Sequence, residues 1–179
     1  MRVIGGSARG KKLQPVPGMD TRPTTDRVKE SVFNILQFKV YNARVLDLFA
    51  GTGQMGIEAL SRGSASCTFV DHESAAIDVI RKNVKAARVE DRAQIRKSDF
   101  SSFVSGCRDK FDILFLVPPY GGKMLNNALK FVEKFDILDS DGIIICESNV
   151  EDEILIPESF SLEKTYRYGT IRLMKLSRG

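Results

Sequence analysis

Histidine and cysteine are scarce in this chain, with one His and three Cys in 179 residues, and the scarcity excludes whole classes of chemistry. Cys67, Cys107 and Cys146 are odd in number and about forty residues apart, so they form neither a disulfide framework nor a paired metal motif. They are expected to be reduced packing residues. His72 has no second histidine and no cysteine beside it, which removes the usual ligand set of a metal centre, and the order of serines, His72 and acids gives no hydrolase triad. No run approaches the roughly 18 apolar residues of a membrane span. Met1-Arg2-Val3-Ile4-Gly5-Gly6 lacks the apolar stretch of a signal peptide. Repeats, low-complexity tracts and long linkers are missing too. These absences leave a cytoplasmic globular protein without metal or membrane partner, expected to be a monomer.

Charge of one sign is also lacking over most of the chain. The net charge is +4, and the first thirty residues hold seven basic residues against three acidic ones, so the remainder is neutral. A basic segment on a neutral body is an arm for a polyanion such as RNA, or a solvated surface hairpin. Charge alone supports both. The residues at issue are Arg9, Lys11, Lys12, Arg22, Thr24 and Arg27.

Apolar spacing gives the organisation. Residues 1–20 read as short strands punctuated by Gly5-Gly6, Gly10, Pro15 and Pro17-Gly18, a hairpin-like appendage. Val28, Val32, Phe33, Ile35 and Leu36 then recur at helical steps, with Thr24 or Thr25 as cap. From residue 44 strands alternate with helices. The strands are Arg44 to Phe49, Ser66 to Val70, Ala93 to Arg96, Phe111 to Leu116 and Gly142 to Cys146. The helices are Gln54 to Ser61, Glu73 to Ala87, Phe100 to Ser105 and Met124 to Phe135. Such alternation predicts an α/β fold with a parallel sheet covered on both faces. Phe160 to Tyr166 and Thr170 to Leu176 flank Arg167-Tyr168-Gly169 and predict a closing hairpin. The organisation is an appendage over residues 1–24 and a main domain over 25–179.

Two loops carry the chemistry. Asp47-Leu48-Phe49-Ala50-Gly51-Thr52-Gly53 follows the first alternating strand, where an open α/β sheet binds ligands. Glycines there let the backbone turn sharply and approach a ligand closely. Gly51, Gly53 and Gly56 fall at the spacing G-x-G-x-x-G of dinucleotide sites, a weak signal when alone, and no Gly-Lys-Ser/Thr of a Walker loop follows. Gly56 suits close helix–strand packing. Asp47 suits a polar or cationic group. Asp71-His72 ends the next strand, where Rossmann-like sites hold ribose hydroxyls, and Ser98-Asp99-Phe100 follows the third, suited to an adenine amino group and ring face. Acids at strand ends also cap helices, and His72 is either a neighbour of the cofactor or a surface residue.

Together these residues resemble a class I S-adenosylmethionine-dependent methyltransferase. Ile4-Gly5-Gly6, Arg9-Gly10 and Arg22-Pro23-Thr24-Thr25-Asp26-Arg27-Val28-Lys29-Glu30 narrow the resemblance to the RsmD family, from Val3 to the last strand. The resemblance implies methylation of the exocyclic N2 of a guanine in bacterial 16S rRNA within the small ribosomal subunit. It also implies a seven-stranded methyltransferase sheet. It assigns Asp47, Gly51 and Gly53 to the methionine portion of S-adenosylmethionine, Asp71 to the ribose and Asp99 to the adenine, and the N-terminal appendage to the ribosomal substrate; Phe49, His72 and Phe100 are expected beside the same cofactor.

The second loop is Val117-Pro118-Pro119-Tyr120. The family pattern is Asp or Asn, Pro, Pro, then Tyr or Phe: an acceptor for the amine N–H, a proline carbonyl as second acceptor, and a ring that stacks on the extruded base. Val117 has no acceptor, which departs from the pattern and leaves the carbonyl of Pro118 and the ring of Tyr120. Two further readings stand beside guanine methylation. One is a cofactor- and RNA-binding ribosome-assembly protein with little catalysis, and the other is DNA adenine-N6 methylation, against which the compact chain offers no added target-recognition domain.

Overall fold

Strands that alternate with helices form one sheet here, and its order decides where the two loops meet. The computed structural model describes residues 1–19, 24–119 and 121–179. Arg22 and Tyr120, both expected at functional positions, lie outside the described residues. The strands are β1 (Arg44–Asp47), β2 (Ser66–Asp71), β3 (Ala93–Lys97), β4 (Phe111–Leu116), β5 (Leu138–Asn149), β6 (Phe160–Tyr168) and β7 (Ile171–Arg178). The helices are α1 (Asp26–Ile35), α2 (Gln54–Ser61), α3 (Ser74–Ala86), α4 (Phe100–Gly106) and α5 (Gly121–Phe135). Seven strands run in the order β3-β2-β1-β4-β5-β7-β6. The first five are parallel, and β7 lies antiparallel between β5 and β6. This is the expected α/β architecture with its closing hairpin.

Because successive side chains on a strand face opposite ways, β4 feeds two cores. Ile113 and Phe115 join Phe33 of α1, Ile57 and Leu60 of α2 and Ile80 of α3. Leu114 and Leu116 join Val104 of α4 and Leu125, Leu129 and Val132 of α5. Each such fully buried side chain contributes about 1.5–3 kcal/mol. Thr25, not Thr24, caps α1, its hydroxyl accepting from the Val28 amide at 3.3 Å.

The N-terminal appendage is closed by a single antiparallel bridge, Arg2 to Lys12, in place of the short strands expected. Beyond that bridge, four of its amides go elsewhere. Ile4 and Gly5 donate to the Glu58 carboxylate at 3.0 and 2.9 Å, Ser7 and Ala8 to the Ser61 carbonyl and hydroxyl at 2.8 and 2.9 Å. Gly6 holds φ at 77°, and a Cβ there would fall 1.9 Å from the Ser61 carbonyl oxygen. The segment covers α2, all of whose residues are buried. Val3 and Leu13 share the core of α1 to α3. No helix among the described residues is long and apolar enough to cross a membrane.

Candidate functional site at the junction of β1 and β4

After β1 the chain builds β2 and β3 on one side, then returns to place β4 on the other. The crevice at that reversal is where doubly wound sheets take ligands. Asp47 stands opposite Phe115 in the register, and the Leu48 amide donates to the Phe115 carbonyl at 3.2 Å. The glycine turn and the proline loop therefore leave neighbouring strands, about 4.8 Å apart, from adjacent positions. Val117 and Pro118 are half-buried and Pro119 is exposed.

The glycine turn is held by several elements at once. Gly51 and Gly53 have φ of 58° and 82°, in the left-handed region that favours glycine. The Gly51 amide donates to Asp71 Oδ2 at 2.9 Å, and the Gly53 amide to the Ala50 carbonyl at 2.7 Å. A Cβ on Gly51 would meet nothing within 4 Å, so the turn opens onto free space there. Gly56 packs tightly on β2, for a Cβ would lie 2.4 Å from Phe69 and 2.6 Å from the Cys67 sulfur.

Asp47 is 3% exposed and accepts the Gly56 amide at 3.1 Å. Burial pushes its carboxyl up to about 7; the Gly56 hydrogen bond opposes this and nearby Asp71 adds to it. A carboxylate so poorly solvated is stabilised by an approaching cation. Asp71 accepts from the Gly51 and Glu73 amides, the latter at 3.0 Å, and so keeps two lone pairs of its four for hydroxyl donors.

Asp99 caps α4: Oδ1 accepts from the Ser101 hydroxyl and the Ser102 amide at 2.6 and 2.8 Å, and Oδ2 from the Ser102 hydroxyl at 3.0 Å. The Ser101 hydroxyl, then the Ser102 amide and hydroxyl, hold its carboxyl down to about 2. One lone pair remains for an amino group. Phe49 and Phe100 meet at 5.4 Å between ring centroids, joining the end of β1 to the start of α4 with an apolar surface. His72, at the end of β2, is exposed and lies 3.0 Å from the Glu73 carboxylate.

Three polar residues at or behind this turn were not singled out by sequence reading. Gln54, which follows Gly53, is buried, and its Oε1 has no hydrogen-bond partner among the described residues. Such an acceptor costs about 1–3 kcal/mol until a donor reaches it. Glu58 is fully buried and pairs with Lys29 at 3.4 Å and Arg62 at 2.9 Å, while Lys29 also donates to the Arg2 carbonyl. Burial lowers the Lys29 ammonium from its ordinary value, and Glu58 opposes that. Asn83 reaches the turn from α3. The available signal was a polar residue on a buried helix face, but its partners lie far away in sequence.

Arg9, Lys11 and Lys12 are exposed on the appendage, Thr24 is half-buried, and Arg27 lies 5.6 Å over the Tyr168 ring. No cluster of three or more metal-ligating side chains occurs among the described residues. The donor set suits S-adenosylmethionine: open space at Gly51, an unfilled acceptor at Gln54 and a poorly solvated carboxylate at Asp47 fit an ammonium and a sulfonium. The free lone pairs of Asp71 suit ribose hydroxyls.

Known proteins resemble this chain over most of its length. A family model described as "Conserved hypothetical protein 95" matches residues 1–176. The Bacillus subtilis protein "Putative rRNA methyltransferase YlbH" is 41% identical over 157 residues, covering 86% of this chain and 85% of that protein. "Ribosomal RNA small subunit methyltransferase D" of Escherichia coli K12 is 36% identical over 173 residues, covering 96% of this chain and 86% of the relative. A solved Escherichia coli structure, "Putative methyltransferase yhhF", superimposes with a TM-score of 0.90 at 32% identity, covering 99% of this chain and 97% of the other.

Proposed function

The chain belongs to the RsmD family of methyltransferases, and from that membership and the junction of its two loops we propose that it transfers the methyl group of S-adenosylmethionine to the exocyclic N2 of a guanine in small-subunit rRNA. The observation that carries the reading is the emergence of the glycine turn and the proline loop from paired positions on β1 and β4. S-adenosylmethionine supplies an electrophilic methyl on a sulfonium. Asp47, Gly51, Gly53 and Gln54 are the groups for its methionine part, Asp71 for the ribose, and Asp99 with the Phe49 and Phe100 rings for the adenine. Arg9, Lys11, Lys12 and Arg27 supply positive charge for the rRNA backbone.

An exocyclic base amine is a weak nucleophile because its lone pair is delocalised into the ring. It reacts when its N–H groups are held by acceptors that keep electron density on nitrogen. The Pro118 carbonyl is one such acceptor. Val117, half-buried, offers no second acceptor. A charge-assisted hydrogen bond at that position is worth about 1.5–3 kcal/mol, so its loss slows transfer roughly 10- to 100-fold.

Val117 also favours a second reading, in which the chain binds cofactor and rRNA during subunit assembly and hardly turns over. The test is transfer of labelled methyl from S-adenosylmethionine to small subunits lacking the modification, run beside duplex DNA. Slow transfer to 16S rRNA supports methylation, and binding of both partners with no transfer supports the assembly role. Label appearing in DNA alone contradicts both.

A further inference from the structure

Asn83 stands on α3 at 1% exposure with every polar group of its amide engaged. Its oxygen accepts from the Gln14 amide at 2.8 Å, and its nitrogen donates to the Gln14 carbonyl at 3.0 Å and the Thr52 carbonyl at 2.9 Å. One side chain thus pairs both backbone groups of Gln14, as the edge of a strand would, and holds the residue between Gly51 and Gly53. Leucine would fill the same space if packing were the only requirement, but it would leave three backbone groups without partners.

The two ends of this link belong to different parts of the site. Gln14 follows the exposed Lys11 and Lys12, and the next residues are anchored on the same helix, with Val16 packed against Ala76 and Val79. Thr52 occupies the middle of the glycine turn, whose neighbours are fixed from Asp71 and Ala50. The Thr52 carbonyl belongs to the peptide that carries the Gly53 amide, so holding the one orients the other. Any shift of the basic segment at Gln14 is therefore passed through a single buried amide to the turn.

We infer that Asn83 is a positioning residue that ties the basic N-terminal segment to the cofactor turn, so that engagement of RNA by the segment and binding of S-adenosylmethionine at the turn reinforce each other. The ligands rest on the function proposed above, whereas the tie rests on the hydrogen bonds alone. Reciprocity follows, because a coupling free energy between two sites acts equally on both ligands.

The experiment uses the full chain and two variants, Asn83→Asp, which turns a carboxylate toward two carbonyl oxygens, and Asn83→Ala. Hydrogen exchange without ligand is expected to speed up in residues 11–16 and 50–54, while β4, β5 and β7 exchange as before. Calorimetry with S-adenosylmethionine is expected to show binding weakened about tenfold. Its tightening by small subunits lacking the modification, fivefold or more in the unaltered chain by the usual range of such couplings, should fall to about one. Unchanged local exchange, a uniform rise across the sheet, or a coupling ratio that survives both variants overturns the inference. If the unaltered chain binds no S-adenosylmethionine while local exchange responds as expected, the proposed function fails and the tie stands.

Discussion

At the scale of single residues, Asp47 makes the site sensitive to pH. Its folded value of about 7 lies above the ordinary 3.8, so between those limits the folded state holds the proton more tightly than the unfolded chain. Its contribution is therefore most favourable below about pH 4, declines as pH rises through about 7 and is flat above that. A cationic ligand favours the carboxylate, so cofactor affinity should change in the opposite sense, rising by up to about tenfold per pH unit below 7 and levelling above it. Calorimetry with S-adenosylmethionine from about pH 5.5 to about pH 8 checks this, and Asp47→Asn should flatten the profile. Of the candidate site residues, Asp47, Asp71 and Asp99 were legible in the sequence, because position at or just after a strand end marks them. Gln54, Glu58 and Asn83 were not, since the Glu58 and Asn83 partners at Lys29, Ile4 and Gln14 are joined only by the fold, and the missing partner of Gln54 Oε1 is evident only from its burial.

At the scale of elements, α2 shows why the N-terminal segment is more than a carrier of charge. Its bounds, Gln54–Ser61, coincide with those expected from spacing, yet its burial on every side arises from a segment that spacing cannot bring there. Glu58 fastens that segment through two amides, Lys29 and Arg62. Removing one member of a buried ion pair costs about 3–5 kcal/mol. Glu58→Ala should thus lower the melting temperature by roughly 6–20 °C for a chain of this size, as read by calorimetric melting. A change of a degree or two would mean that the clamp contributes little. Where expected bounds missed, the cause was local chemistry. β5 begins at Leu138 rather than Gly142, since Leu138 pairs with Phe111 before an irregularity in register, across a polar stretch that reads as a turn. α5 begins at Gly121 despite two glycines, which are poor helix formers.

At the scale of the whole molecule, strand order and charge distribution do the remaining work. The reversal between β3 and β4 brings the two loops together; alternation announced a parallel sheet, and the strand order itself comes from the fold. The net charge of +4 is concentrated in the first thirty residues, which also brace α2 and the glycine turn. If Lys11 and Lys12 each neutralise an rRNA phosphate, the double change to Ala should make the dependence of log affinity on log salt shallower by about 1.4 to 1.8. Affinity titrations over a range of salt read that slope directly, and an unaltered slope would place the RNA on another face.

The proposed chemistry occurs where β1 and β4 release their loops, with Val117 setting its rate. Single-turnover methyl transfer to small subunits lacking the modification, measured for the chain as it stands and for Val117→Asp, tests it most directly. Acceleration of roughly 10- to 100-fold at unchanged affinity for the subunit is expected. An aspartate variant that is no faster, or whose added methyl groups appear on DNA, would contradict it.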